Sequence, residues 1–546
     1  MVFSSAAQAQ VTPDAGSILR EQQKPVLEVP ARPAPSIKLD EPARPALKPS
    51  TATFALKAFR VSGNSVFTEA ELLAQVSVWV GKEVSFADLD QAASRLSRYY
   101  RERGYLVARA YLPAQDIKDG VVEIAVIEGR FGKVNLDNRS RVRDGVARSH
   151  TDGLPGAVVT ESGLERKLLL LNDLPGVGDA RATLRPGANV GESDVTVELA
   201  PSPFASGSVE FDNFGNRFTG ANRLTGKLNL LSPLGLGDLL SAQLTKGFNG
   251  LEYGRIAYQL PVGGDGFKLG AAYSHTAYEL GKSFSALGAS GDADSYTVNV
   301  SYPFIRSRNL NLYGQAAIEH RDFQDRLSLT ATVSDRATRA ATLTLSGDAR
   351  DALLGGGITV FSAGFSSGRL DLETPAVRVV DDVTARTNGH FDKWNFNVLR
   401  LQSLGERLSA YVSLSGQKGG KNLDSSEKFV LGGANGVRAY PQGEAAGDSG
   451  YVATMELRYT LNIAALPGVL QPFFFVDNGG VTVNENPFAA GANTRHLSAG
   501  GLGLTWVKAG DFQLKLTLAT RLGEQRSTSS DTDRHTRGWV QAIKFF

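Results

Sequence analysis

Cysteine is absent from the 546 residues, methionine occurs twice and histidine six times. Without a thiol there is no disulfide, no thiolate nucleophile and no cysteine-ligated metal, although this absence assigns no compartment. The histidines are scattered with no HExxH or comparable ligand spacing, so a zinc enzyme has no support. An excess of charge of either sign is missing too. The 58 Lys and Arg face 56 Asp and Glu, which argues against a nucleic-acid partner held by phosphate neutralisation. No apolar run reaches the length of a spanning helix, which excludes a helical membrane protein and leaves a membrane barrel open. There is no defensible Ser/His/Asp arrangement, and the "LGGG" at 354–357 lacks the lysine of a phosphate loop. The chain therefore reads as a non-enzyme without a cofactor.

What is present is length and a change of texture along it. A chain of this size predicts two or three domains. "MVFSSAAQAQ" ends in the small-x-small pattern of Ala7-Gln8-Ala9 but has no basic start. Residues 1–10 thus read as the remnant of a signal peptide, an Ala-rich disordered start being the alternative. Residues 11–24 hold a candidate helix, "AGSILREQQK" at 15–24. The repeated prolines of 25–50 predict a semi-rigid linker rather than a packed layer. A helix tethered in this way can plug, dock or dangle.

Residues 53–130 predict the order strand, helix, helix, strand, strand. Thr68 and Glu71 have capping-box spacing. Ser85 caps a stronger helix, with Asp88 in its first turn and Phe86, Leu89, Ala93, Leu96 and Tyr100 as the buried stripe, and Gly104 ends it. Residues 131–200 repeat that order more loosely. Two small α+β modules form an arm whose sheet edges suit an unfolded peptide, unless the arm merely spaces two functional ends.

From 205 to 546 the pattern has period two. In "SYTVNVSYPF" Tyr296, Val298, Val300, Tyr302 and Phe304 share one face, opposite Ser295, Thr297, Asn299 and Ser301. In "FQLKLTLATRLG" the apolar Phe512, Leu514, Leu516, Leu518 and Leu522 oppose Gln513, Lys515, Thr517 and Arg521. Soluble packed sheets or a membrane barrel would both satisfy this alternation. A polar face continuous over the whole region, long segments, aromatic residues near strand ends and the terminal "KFF" favour a transmembrane antiparallel β-barrel. Roughly 20 residues per strand and turn gives about 16 strands. Intervals 281–294, 371–390 and 417–448 are candidate extracellular loops, and "SPLGLGD" at 232–238 suits the periplasmic side.

Two charges stand out. Arg438 lies in "GGANGVRAYPQG" (432–443) among glycines, and Asp477 interrupts "FFFVDNGG" (473–480). If the loop folds back into the lumen, a carboxylate can hold the planar guanidinium by charge-assisted bonds. Asp477 is the candidate, since it shares strand parity with Phe473 and Phe475. Parity alone does not pair them.

At this point the chain resembles the outer-membrane transporters of two-partner secretion, the haemolysin secretion/activation and filamentous-haemagglutinin transporter family within the Omp85 superfamily. "GVRAYP" resembles the family's VRGY loop motif, on Val437, Arg438, Ala439 and Tyr440, and "FVDNG" resembles its F-x-D-x-G strand motif, on Phe475, Asp477 and Gly479. The resemblance implies POTRA domains at 53–130 and 131–200, a sixteen-stranded barrel from 205, and a location in the Gram-negative outer membrane with the POTRA domains in the periplasm. It further implies a translocator for a large exoprotein with an N-terminal secretion domain, in contact with outer-membrane lipid and lipopolysaccharide and open to periplasmic chaperones. The competing readings are an assembly factor for other outer-membrane proteins and a passive porin or receptor. Ala439 departs from the usual glycine, which would add roughly 1 kcal/mol of strain if that residue has positive φ.

Overall fold

The computed structural model describes residues 12–23, 29–30, 36–40, 52–529 and 533–546. The signal-peptide reading of 1–10 and most of the linker lie outside these residues.

Sixteen antiparallel strands, from Ala205–Asp212 to Thr536–Phe545, form a closed barrel in which the last pairs with the first. Closure leaves no strand edge without a hydrogen-bonding partner in lipid. The alternation read from the sequence sets the two faces. Val298 and Phe304 point outward, 60% and 58% exposed, while Ser295 is buried against the lumen. Leu516 and Leu518 likewise face out and Thr517 and Arg521 face in. The fifth to ninth strands are Phe267–Glu279, Ala289–Arg306, Leu310–Leu327, Thr332–Asp351 and Gly357–Leu372. The last four of these span 16 to 20 residues, well beyond the roughly 9–11 needed to cross a bilayer.

This length corrects the loop boundaries. Interval 281–294 is only partly a loop, because Ala289 already pairs with Leu327 and the strand ladder continues from there. Interval 371–390 contains a helix, Pro375–Val383, begun by proline at its first position. Interval 417–448 begins within the eleventh strand, Leu408–Gly419.

In the arm, α2 (Glu69–Val76) opens with the expected capping box: Thr68 N–H donates to Glu71 at 2.8 Å and the Thr68 hydroxyl accepts from the Glu71 N–H at 3.3 Å. The next helix, α3 (Phe86–Glu102), has the same reciprocal pair from Ser85 and the shorter acid Asp88. Leu89, Ala93, Leu96 and Tyr100 are buried as read, but Phe86 is 43% exposed. It sits in the first turn at the edge of the stripe, and Ala92 and Ser97 complete the buried face instead. Tyr100 donates to Glu128 at 3.0 Å, and Glu128 also accepts from the backbone of Ser65 and Val66. Those bonds outweigh burial, which by itself pushes this carboxyl up, and hold its pKa below the usual value.

The second module carries α4 (Asp144–Ser149) and α5 (Glu161–Asn172) on a four-stranded sheet. Its outermost strand is not from the module. Ser36–Leu39, read from sequence as linker outside any packed layer, pairs in parallel with Arg181–Leu184. The edge of Val177–Pro186 would otherwise leave its N–H and C=O groups open, and the linker reaches it. The module is fixed to the barrel by Arg306, whose guanidinium holds Asp173 through two 2.7 Å bonds, and by the ion pair of Arg308 with Glu165. Helix α1 (Ala15–Gln23) lies inside the barrel against the fifth to seventh strands, with Ile18 and Leu19 buried among Tyr253, Tyr278 and Phe323.

Candidate functional site

The interval between the eleventh strand and the twelfth, Ser449–Tyr459, folds back into the lumen. Its tip is tight. Val437 N–H donates to Leu431 C=O at 2.7 Å, and a Cβ on Gly436 would come within 2.0 Å of that same carbonyl. This crowding, rather than freedom at the tip, explains the glycine at 436.

Arg438 and Asp477 are brought together. The Nε and Nη2 of Arg438 donate to the two carboxylate oxygens of Asp477 at 2.9 and 2.8 Å, and the Arg438 backbone N–H adds a third bond at 3.1 Å. The planar fork matches the carboxylate, a geometry lysine could not reproduce. Thr454 donates to Asp477 at 2.9 Å from the neighbouring strand. Both partners are buried, so each depends on the other for solvation.

Sequence reasoning missed a second acid. Nη1 of Arg438 donates to Glu456 at 2.6 Å, and Arg458 donates to the other oxygen of Glu456. The signal was present in "ATMELRY": Thr454, Glu456 and Arg458 share one parity, so that this strand carries its charges on the lumen face. Two arginines thus bond two carboxylates, and Lys515 of the fifteenth strand, Phe512–Arg521, adds a third cation beside them. The Arg438 guanidinium also stacks 3.5 Å from the ring centre of Phe475, and its carbonyl accepts from Trp539 Nε1 at 2.7 Å.

The remaining motif residues pack around this pair. Val437, Ala439 and Tyr440 are buried in a cluster with Leu431, Phe473 and Phe475. Tyr440 donates to Gln525 C=O at 3.0 Å. Ala439 is not among the positive-φ residues. Its methyl fills the cluster, and the strain expected of a left-handed position does not arise. Gly479 has a close-approach role: a Cβ there would meet Tyr451 C=O at 2.9 Å and Leu431 of the loop at 3.0 Å. Gly501 and Gly503 on the fourteenth strand, Thr494–Lys508, make room for the rings of Phe475 and Phe473 in the same way.

The loop has further anchors that the motif did not reveal. Glu444 is fully buried and accepts from Arg495, Thr528 and Ser529. Glu427 lies between Arg321 at 2.6 Å and Lys393 at 2.5 Å. Ser425 reaches the luminal helix directly and Asp424 does so by way of Arg336. Arg336 of the eighth strand holds Asp14, the residue before α1, at 2.8 Å, pairs with Asp325 at 2.5 Å, and lies 3.2 Å from Asp424. Ser425 donates to Asp14 at 2.6 Å, and Arg20 of α1 donates to the Ser425 carbonyl. One loop therefore holds the barrel wall through Arg438, and the luminal helix through Ser425 and, by way of Arg336, through Asp424.

A closed sixteen-stranded barrel with a two-module soluble arm, a luminal helix and an inward-folded loop defines an outer-membrane protein transporter. The family model described as "Haemolysin secretion/activation protein ShlB/FhaC/HecB" matches residues 191–506, and that described as "POTRA domain, ShlB-type" matches 54–129. The chain belongs to the haemolysin secretion/activation family. It is 28% identical to the heme/hemopexin transporter protein HuxB of Haemophilus influenzae, over 100% of this chain and 97% of that one. It is 24% identical to the outer membrane transporter CdiB of Dickeya dadantii, over 74% and 72%. The solved structure of CdiB from Escherichia coli has the same fold, with a TM-score of 0.72 at 22% identity, covering 98% of this chain and 96% of that one. The more distant structure of BamA from Haemophilus ducreyi lacking POTRA domains 1–3 matches at 14% identity and a TM-score of 0.52, covering 90% of this chain and 100% of that one. The protein is a two-partner secretion transporter of the outer membrane, with periplasmic POTRA domains and a barrel that secretes a partner exoprotein.

Proposed function

We propose that the Arg438–Asp477 pair, completed by Glu456, holds the returned loop in its working position while an unfolded exoprotein is captured by the POTRA arm and passed outward as α1 leaves the lumen. The observation that carries this reading is the buried two-point bond between a loop tip and the opposing strand, made by a loop that also grips the plug. Tyr440 packs the tip, and Phe475 and Gly479 shape the strand to receive it. The partner is a large exoprotein with an N-terminal secretion domain, and lipid, lipopolysaccharide and periplasmic chaperones meet the outer wall and the arm. The chain performs no catalysis of its own.

The sheet edge at Val177–Pro186 supports capture by strand addition. It is covered by Ser36–Leu39, so an incoming segment has to displace the chain's own strand. This placement links capture to the tether of α1.

The test is secretion of the partner from cells carrying Arg438→Ala or Asp477→Ala. Both are expected to stop export while the barrel remains folded, judged by its heat-modifiable migration. The swap Arg438→Asp with Asp477→Arg is expected to recover part of it. Normal export from both single variants would overturn the role of the pair.

A further inference from the structure

The lumen wall is uneven in a way that neither the loop anchor nor the plug uses. On the side of α1, the fifth to seventh strands present tyrosine, phenylalanine and charged groups, and these hold the helix. On the other side lie the eighth and ninth strands, the tenth (Gly389–Ser403) and the eleventh. Across 338–346, 358–370, 395–401 and 411–417 their lumen face carries no Asp, Glu, Lys or Arg. Instead it offers small hydroxyls and amides, among them Thr342, Ser362, Ser366, Asn397, Ser413 and Ser415. All of these line a cavity of about 520 Å³ between α1, the returned loop and the wall, whose charged lining, Arg20, Lys393 and Glu427 among it, lies outside these four stretches. Their hydrogen bonds run mostly to each other, as in Thr342 with Ser366 at 2.9 Å and Asn397 with Ser362 at 3.1 Å.

Such a surface suits one kind of ligand. A hydroxyl or primary amide donates and accepts, so it can serve the N–H and C=O groups of any extended backbone. A fixed charge would instead retain each opposite charge that passed, most strongly where water is scarce. The lower end of this wall already carries a stretch of peptide. Val29 packs against Ile358, Val360 and Leu399, with Leu401 and Tyr411 beside it, and the carbonyl of Pro30 accepts from Arg350 at 2.6 Å.

We propose that the lumen face of the eighth to eleventh strands is the lane along which the unfolded exoprotein slides, and that Val29 and Pro30 cover its lower end while the plug is seated. This rests on the translocator reading above and assigns the path within it. Recognition in the lane is of the backbone and not of a side-chain sequence.

A photo-reactive amino acid placed at Ser362 or Ser413 tests the lane, with Thr276 and Ser295 of the opposite wall as the comparison. The probe is the exoprotein that this chain exports, fused at its C-terminus to a stably folded domain that stalls it in the barrel. Crosslinks to the stalled chain are expected to be several-fold stronger at 362 and 413 than at 276 and 295. Equal labelling, labelling confined to 276 and 295, or export with no crosslink on either wall would overturn the lane while leaving the transporter reading intact. Failure of the unsubstituted chain to export that protein at all would overturn the reading on which the lane rests.

Discussion

Two arginines in the lumen hold the same loop, and their surroundings differ. Arg438 and Arg458 bond Asp477 and Glu456, an aromatic ring lies under the Arg438 guanidinium, and with Lys515 nearby the cations are in excess. Arg336 faces three carboxylates, Asp14, Asp325 and Asp424, and even with Arg20 nearby the acids are in excess. A doubly bonded cluster in a water-poor site, with every carboxylate held by a cation, is expensive to break. A cluster with surplus negative charge gives back repulsion when one carboxylate departs, and the carboxylate able to depart is Asp14, beside the helix that leaves the lumen in the proposed function. The comparison separates a lock from a latch.

The two clusters should therefore fail in opposite ways. Removing one partner of the lock, as in Arg438→Ala, costs about 3–5 kcal/mol. That is at least roughly a hundredfold in the population of the anchored loop. Export should be lost with the helix still seated, so planar-bilayer conductance should stay at its resting level. Arg336→Ala should leave three carboxylates with only Arg20 nearby and release α1, giving a high steady conductance. A resting conductance in this variant equal to that of the unsubstituted chain would remove the distinction.

A smaller effect of opposite sign is expected from Asp14→Asn. Asparagine still accepts from Ser425 and remains a good residue at a helix start, while the excess charge falls by one. The plug should be held more firmly by about 1 kcal/mol, a change of roughly fivefold in open fraction. Fewer opening events in single-channel records would show it, and more of them would contradict the surplus-charge account.

The smallest effect lies at the junction of arm and barrel. His150 at the end of α4 is buried against the turn at Gly264, and burial pulls its pKa down, helped by Lys167 and opposed by its bond to Val146 C=O and by Asp265. The docked ring is thus neutral where a freed one takes a proton. Docking should be insensitive to pH above about 6.5 and weaken progressively as pH falls below it. Protease cleavage between arm and barrel should rise on that side, and His150→Gln should flatten the profile.

Much of this was legible in the sequence. Period-two alternation set the lipid and lumen faces of each strand, because neighbouring side chains of a strand point to opposite sides. Thr68 with Glu71 and Ser85 with Asp88 set where two helices begin, since a cap is a local exchange of hydrogen bonds. Arg438 in its glycines and Asp477 among its phenylalanines could be singled out because each contradicts its neighbours. Phe86 went astray because a stripe read at helical spacing does not say where the covering sheet stops.

The rest required the register of strands distant in sequence. Parity placed Asp477 on the lumen face, but only the pairing of Phe475 with Glu456 and of Asp477 with Thr454 brought the second acid and the hydroxyl beside the arginine. Ala439 fits because the fold gives it an ordinary backbone and a methyl-sized space, neither of which its neighbours in sequence decide. The proline-rich linker became partly a strand because an open sheet edge lay within its reach. Local chemistry thus determined the elements, their faces and the two odd charges. Closure of the barrel determined which charges meet, because electrostatic pairing depends on distances that only a finished ring of strands sets.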